Sequence, residues 1–211
     1  MQMLNLDALS FQEFMTQEPL PLSKIQNALL EFLQGRKDAV LFGAHAVNAY
    51  VREPRMTGDV DLFSIRAEEL AGELRDHLSG LFHIAIRVRK IGEGRGYRLF
   101  QIRKGGNRHL ADIRPVPELP PSKRIANVQI IAPAELVASK VIAYHRRRGQ
   151  PKSGTDWRDL AMLLLAFPEL KRDASPVAEA LRSMGAGRGE LAEWRRLAGA
   201  RIQPERPDEE F

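Results

Sequence analysis

Asp59 and Asp61 are the residues of this 211-residue chain whose type and spacing most directly suggest chemistry. They open a run, Asp59 to Ile65, in which polar and apolar residues alternate as in a strand with one buried face. Residues i and i+2 of a strand point to the same side, so the two carboxylates share a face with their α-carbons roughly 7 Å apart. Two acids at that spacing repel unless a cation lies between them. Hard carboxylate oxygens suit Mg²⁺, which completes its shell with water and substrate phosphates. A lone Asp-x-Asp is more often a pair of surface acids, so what precedes it matters. The apolar run from Asp38 to Phe42 stops at Gly43, and Ala44 to Val51 then reads as a helix. A glycine at such a turn lets a phosphate approach the backbone, and the free amides of the helix start attract anions. Strand, glycine turn, helix, a loop through Pro54 and an acidic strand would put an anion site and a metal site on one edge.

Other groups are less specific. Lys140 lies one turn after Leu136 and one before Tyr144 on an otherwise apolar helix face. A lysine there needs an anion or a route to water, and a triphosphate would be a natural partner. The five histidines lack metal-ligand spacing, and His45 is expected to line the site or pack in it. Gly92, Gly94 and Gly96 could suggest a phosphate loop, but no helix follows, so a hairpin turn is the reading. Arg146, Arg147, Arg148, Lys152 and Arg158 form a basic cluster that fits either a solvated helix end or contact with a nucleic-acid backbone or triphosphate.

These residues need elements to hold them. Residues 22–35 read as an amphipathic helix capped by Ser23 and ended by Gly35, and residues 67–79 as another. His83 to Lys90, Tyr97 to Arg103 and His109 to Val116 read as strands joined by glycine-rich turns, with Val128 to Ile131 as an edge strand. From Pro133 the pattern becomes helical: Pro133 to Arg148, Asp156 to Phe167, Pro176 to Met184 and Gly189 to Leu197, followed by a polar tail expected to fray. The expected fold class is α/β (α+β): a small mixed sheet with helices on one side, then a helical bundle, divided as residues 1–125 and 126–211, with substrate in the cleft between them.

Composition narrows the classes. Hydrophobic residues make up 44% and charged residues 28%, as in ordinary globular proteins. There is no cysteine, which removes disulfides and thiolate metal sites. No apolar run reaches the ~18 residues of a membrane span, and the amino terminus carries acids without a basic segment, unlike a secretory signal. A cytoplasmic location without membrane association is therefore the expectation. The net charge of +5 favours anionic partners.

The arrangement resembles the polymerase-beta-like nucleotidyltransferase superfamily and, more narrowly, is similar to the AbiEii-type nucleotidyltransferases, which include toxins of bacterial toxin–antitoxin and phage-defence systems. Gly43, Ala44, Ala46, Arg55, Thr57, Asp59 and Asp61 match that family's glycine-turn and Arg-x-Thr-x-Asp-x-Asp layout, with Ala44 where the family has glycine or a small polar residue. The resemblance implies a nucleotide site that includes Gly43, Ala44, His45, Arg55 and Thr57, and metal held by Asp59, Asp61 and a third carboxylate, Asp112, that aids the attacking hydroxyl as base or electrostatically. Leu136 and Lys140 after Pro133, and Asp156 and Asp159, are similar to the family's later helices, with either aspartate as its last acidic motif. The implied reaction is transfer of a nucleoside monophosphate from a nucleoside triphosphate, with Mg²⁺ or alternatively Mn²⁺, to RNA (tRNA is the family's notable acceptor), a protein or a small molecule. An antitoxin protein is an implied partner. The alternative is a catalytically degenerate module that binds nucleotide or a partner, to which Ala44 and an inactive third acid would point.

Overall fold

The computed structural model describes Glu13, Met15 and residues 18–92, 94–171 and 176–204. The amino-terminal segment read for a signal, most of the polar tail, and Glu93 in the glycine turn lie outside the described residues. The chain divides into two compact units, Met1–Ala49 with Glu53–Ile131, and Tyr50–Arg52 with Ala132–Phe211.

The first unit is built on seven strands: β1 (Ala39–Phe42), β2 (Val60–Ser64), β3 (Ile86–Ile91), β4 (Gly96–Gln101), β5 (Arg108–Pro115), β6 (Ser122–Ile125) and β7 (Val128–Ile131). They form one mixed sheet in the order β3-β4-β5-β2-β1-β7-β6. β2 runs parallel to β5 and β1 parallel to β7, while the remaining neighbours are antiparallel. The central strands carry the apolar residues. β1 is buried along its length, and Val60, Leu62, Ala111 and Ile113 have no exposed surface. β6 is polar and largely exposed, so it shows no alternation. Its place comes from pairing with β7, which makes β6 the edge and puts β7, expected at the edge, one strand inside it.

Two amphipathic helices, α1 (Leu22–Phe32) and α3 (Ala67–Phe82), pack against each other and against the sheet. Ile25 and Leu29 of α1 and Leu70, Ala71, Leu74 and Leu78 of α3 are buried at helical spacing. Pro21 takes the cap position of α1, so Ser23 lies inside the first turn rather than capping it. α3 runs three residues past its expected end and closes on His83 in the left-handed conformation (φ 53°). The short helix α2 (Gly43–Tyr50) joins β1 to the loop before β2.

The second unit holds α4 (Pro133–Arg146), α5 (Lys152–Ala166), a 3-10 turn (Pro168–Lys171), α6 (Pro176–Ser183) and α7 (Arg188–Gly199). Its interior is Leu136, Val137, Val141, Leu160, Leu163, Val177, Leu181 and Leu197, all without exposed surface, with Trp194 almost fully buried. α5 starts four residues earlier than the apolar pattern suggests. Pro151, with φ −54° and ψ −35°, already presets helical geometry, so Ser153, Gly154 and Thr155 are drawn into the helix despite weak propensity. Among the described residues, no helix is long and apolar enough to cross a membrane.

Because Leu62 is completely buried in the strand at the middle of the sheet, Leu62→Ala should lower the unfolding free energy by about 2–5 kcal/mol. Urea denaturation would show this as a lower midpoint at an unchanged slope.

Candidate active site

The site is a row of side chains across four strands. The register sets Phe42 of β1 opposite Asp61 of β2, Asp61 beside Asp112 of β5, and Asp112 opposite Arg98 of β4. Paired residues on adjacent strands face the same side, so the two acids and the arginine share one face. Asp59, two residues before Asp61, joins that face from the residue preceding β2.

Gly43 ends β1 immediately beneath Asp61. Its φ is +71°, and a Cβ built there would lie 2.8 Å from Asp61 Cγ and closer still to a carboxylate oxygen. Backbone conformation and lack of space both demand glycine, so the start of α2 lies directly against the Asp61 carboxylate.

Charges of both signs surround Asp112. The Arg98 guanidinium donates two bonds to it, Nε to Oδ1 at 2.6 Å and Nη2 to Oδ2 at 2.7 Å. The His109 ring lies between two acids, Nε2 at 3.0 Å from Asp112 Oδ1 and Nδ1 at 3.2 Å from Asp59 Oδ2. Burial opposes ionisation of Asp112, but the Arg98 fork and then His109 outweigh it and hold the carboxyl well below the usual carboxylate range. A carboxylate held ionised in this way is a strong electrostatic anchor and a poor proton acceptor. Arg98 is held more firmly protonated, first by its bonds to Asp112, against the cost of burial, with Asp59 and Asp61 adding to the field.

One donor atom each from Asp59, His109 and Asp112 lie within 4.8 Å of one another. Two carboxylates and an imidazole at that separation suit a divalent cation, and Asp61 beside them adds a third acid. The chemistry open to the group is electrostatic: binding a cation and, through it, phosphate oxygens at the foot of α2.

Of the other residues singled out in the sequence, Arg55 and Thr57 lie in the loop before β2. Arg55 exchanges backbone bonds with the Asn48 side chain, its N–H donating to Asn48 Oδ1 at 3.0 Å and its carbonyl accepting from Nδ2 at 2.8 Å. The Thr57 carbonyl accepts a bond from Gln26 of α1. Ala44 is buried in the first turn of α2. His45 is only 4% exposed, its Nε2 has no hydrogen-bond partner among the described residues, and it lines an apolar pocket with Asn27, Leu30, Leu41 and Ile130. Leu41 alternates with Phe42, so this pocket lies on the sheet face away from Asp61. Burial, then the charge of Arg55, lowers the His45 pKa to about 4. In the helical unit, Lys140 Nζ donates to Asp159 Oδ2 at 2.7 Å, both groups being buried. Asp156 accepts from Arg147 Nη1 at 2.9 and 3.2 Å. The anion that Lys140 needs on its apolar face is supplied, within this unit, by Asp159.

Sequence reasoning missed His109 and Arg98. The five histidines lack ligand spacing along the chain, yet His109 meets two acids. Residues three apart on a regular strand point to opposite faces, but the β4–β5 register shifts between Leu99 and Phe100, so that Leu99 pairs with Ala111 and Phe100 with His109. The extra residue, Leu110, is a bulge that returns His109 to the face of Asp112. No sequence signal marked this. Arg98 is one of several arginines in alternating strands, and only the register selects it.

A family model for the nucleotidyl transferase AbiEii toxin of a type IV toxin–antitoxin system matches residues 27–210. No curated protein matches the chain. Among solved structures, the chain is similar to the Megavirus polyadenylate synthase (TM-score 0.59, 15% identity, 78% of this chain and 35% of that one). It is also similar to JHP933 from Helicobacter pylori (TM-score 0.56, 18% identity, 90% of this chain and 92% of that one). A third likeness is to ANT(2")-Ia in complex with adenylyl-2"-tobramycin (TM-score 0.50, 15% identity, 84% of this chain and 100% of that one). At these identities the likeness is one of fold. The chain spans about a third of the length of the Megavirus protein.

Two measurements bear on this geometry. Gly43→Ala should destabilise the fold by at least about 1–2 kcal/mol, the cost of a left-handed alanine, by displacing Asp61 and straining the turn; thermal unfolding of the variant beside the unmutated chain reads the loss. His45 should make stability depend on pH. Its folded pKa lies below the ordinary value of 6.5, so between pH 6.5 and 4 the unfolded chain takes up a proton that the folded chain refuses. The stability present above pH 6.5 should fall by about 3 kcal/mol across that window, and His45→Gln should remove that part of the slope in urea titrations at pH 7.5 and 4.5.

Proposed function

We propose that this chain, which belongs to the AbiEii nucleotidyl transferase family and is a nucleotidyltransferase, transfers a nucleoside monophosphate from a nucleoside triphosphate to a hydroxyl acceptor with the aid of Mg²⁺ or Mn²⁺. The observation that carries the reading is the in-register pair Asp61 and Asp112, with the Asp61 carboxylate lying on the Gly43 turn. Asp59, Asp61 and Asp112 are the residues that would hold the metal, with the His109 imidazole between two of them. A divalent ion bound there supplies positive charge for the phosphates as negative charge builds up in transfer.

The chain's own groups divide the remaining work. The first amides of α2, opened by Gly43, face anionic phosphate oxygens, and Ala44 contributes through its backbone alone. Arg98 offers a guanidinium beside the acids, able to neutralise a phosphate once a cation takes over its place at Asp112. Arg55, Thr57, Lys140 and the aspartates 156 and 159 are the further nucleotide-site residues that the family likeness suggests. A toxin role in a toxin–antitoxin pair is supported by the family's description as a toxin of a type IV system; an RNA acceptor and an antitoxin partner belong to the same reading. A cytoplasmic location and a division at residues 125/126 belong to the same reading.

One observation favours a second reading. Arg98 engages both oxygens of Asp112, as in a site that binds nucleotide or a partner without turning over.

Asp61→Asn keeps the side chain's shape and removes its charge. It should leave the melting temperature unchanged or raised without metal, because a repulsion is relieved, and should slow transfer roughly 100- to 1,000-fold. The assay is transfer of each labelled triphosphate to total RNA with Mg²⁺ or Mn²⁺. Equal transfer by the variant would remove Asp61 from the reaction. Nucleotide binding without transfer by the unmutated chain would support the non-catalytic module.

A further inference from the structure

Within the helical unit, α6 and α7 enclose a cavity of about 160 Å³ lined by Ala178, Arg182, Leu191, Trp194 and Arg195. Ala178 and Arg182 are four residues apart on α6, and Leu191, Trp194 and Arg195 are three and four apart on α7, so each helix presents one face to it. The floor is apolar: Ala178 is buried, and the Trp194 ring is 2% exposed.

Among the described residues, the polar side chains of this lining are all donors. The indole N–H of Trp194 is buried and has no hydrogen-bond partner. An indole nitrogen can only donate, and a buried N–H without an acceptor is costly, so the group calls for an acceptor beyond the described residues. Arg182 and Arg195 are exposed, and among the described residues neither has an ion pair or side-chain hydrogen bond. Four other arginines of the unit are neutralised: Arg146 by Glu190, Arg147 by Asp156, and Arg148 and Arg196 by Glu193. The contrast is sharpest along α7, where Arg196 is paired with Glu193 and the adjacent Arg195 turns to the cavity. Among the described residues, no aspartate or glutamate lines the cavity.

We propose that this cavity binds a phosphate monoester, its oxygens between the Arg182 and Arg195 guanidiniums and its carbon portion against Ala178, Leu191 and the Trp194 ring. Two guanidiniums match a dianion, and their planar donor arrays match phosphate oxygens. Trp194, whose N–H has no partner among the described residues, lines the same cavity. The volume admits a phosphate with a small organic group rather than a bare ion alone. The site does not depend on the carboxylate cluster, whose residues it does not share.

The chain has two tryptophans, so Trp157→Phe leaves Trp194 as the only indole reporter. Phenyl phosphate titrated into Trp157→Phe at constant ionic strength should change the fluorescence saturably, whereas phenol should not. Arg182→Ala and Arg195→Ala should each weaken phenyl phosphate at least tenfold while leaving nucleotidyl transfer unaltered. Calorimetry on the unmutated chain reads the same affinity if Trp157→Phe fails to fold. A 5′-phosphorylated dinucleotide compared with its 5′-hydroxyl form distinguishes a nucleic-acid end from a small phosphate ester as the source. Absence of saturable binding of phenyl phosphate, or equal affinity in both arginine variants, would overturn the proposal. Loss of transfer by Asp61→Asn bears on the carboxylate cluster alone.

Discussion

Carboxylates drawn together on one face of a sheet repel, and the first unit is arranged around the charges and the space that make their proximity tolerable. Asp61 and Asp112 are neighbours in register on parallel strands, with Asp59 two residues away. Arg98 on one side and His109 between Asp59 and Asp112 supply compensating contacts. On the other side Gly43 yields the volume that the Asp61 carboxylate fills. An unpaired buried carboxylate would shed its charge by binding a proton; the pairing with Arg98 keeps Asp112 ionised. The same feature that stabilises the chain without a cation thus keeps the cluster anionic and ready for one.

The helical unit handles buried charge differently. Lys140 and Asp159 form a close, nearly solvent-free pair, and Asp156 is held by Arg147. Glu193, with no exposed side-chain surface, is ringed by Arg148, Arg196 and His145. Buried pairs of this kind contribute little net stability, because desolvation offsets attraction, but losing one partner strands the other. They therefore bias the helices towards arrangements in which every partner is present. Against that background, Arg182 and Arg195 beside a buried indole have no ion-pair partner among the described residues.

The family match extends over both units, from residue 27 to 210, so the helical part belongs to the family as much as the sheet does. The structural likenesses join proteins with different names, a polyadenylate synthase and an adenylyl-tobramycin complex among them, at 15% identity. A shared fold does not by itself fix what a protein acts on. Ala44, in the first turn of α2, offers no side-chain hydroxyl but supplies the backbone amide that any residue other than proline has.

Local spacing made much of this legible from the residues alone. Alternation in Asp59 to Ile65 fixed a strand and the shared face of its two acids, and the apolar run halted by Gly43 fixed a strand-to-helix turn. Helical periodicity placed α1, α3 and the four helices after Pro133 to within a few residues. The resemblance carried by Gly43, Arg55, Thr57, Asp59 and Asp61 pointed to the family. Partnership between distant segments was not legible. His109 reaches Asp112 because a bulge at Leu110 reverses the parity of the strand, and Arg98 is chosen by the β4–β5 register. His45 faces an apolar pocket, although its place just after the turn suggested the site itself, and β6 joins the sheet without any pattern of its own. The physical reason is one of range. Side-chain direction within an element follows from covalent geometry repeated every two or 3.6 residues, whereas register, bulges and ion-pair choice are set by segments that meet only when the whole sheet or bundle closes, and those decide which charges become neighbours.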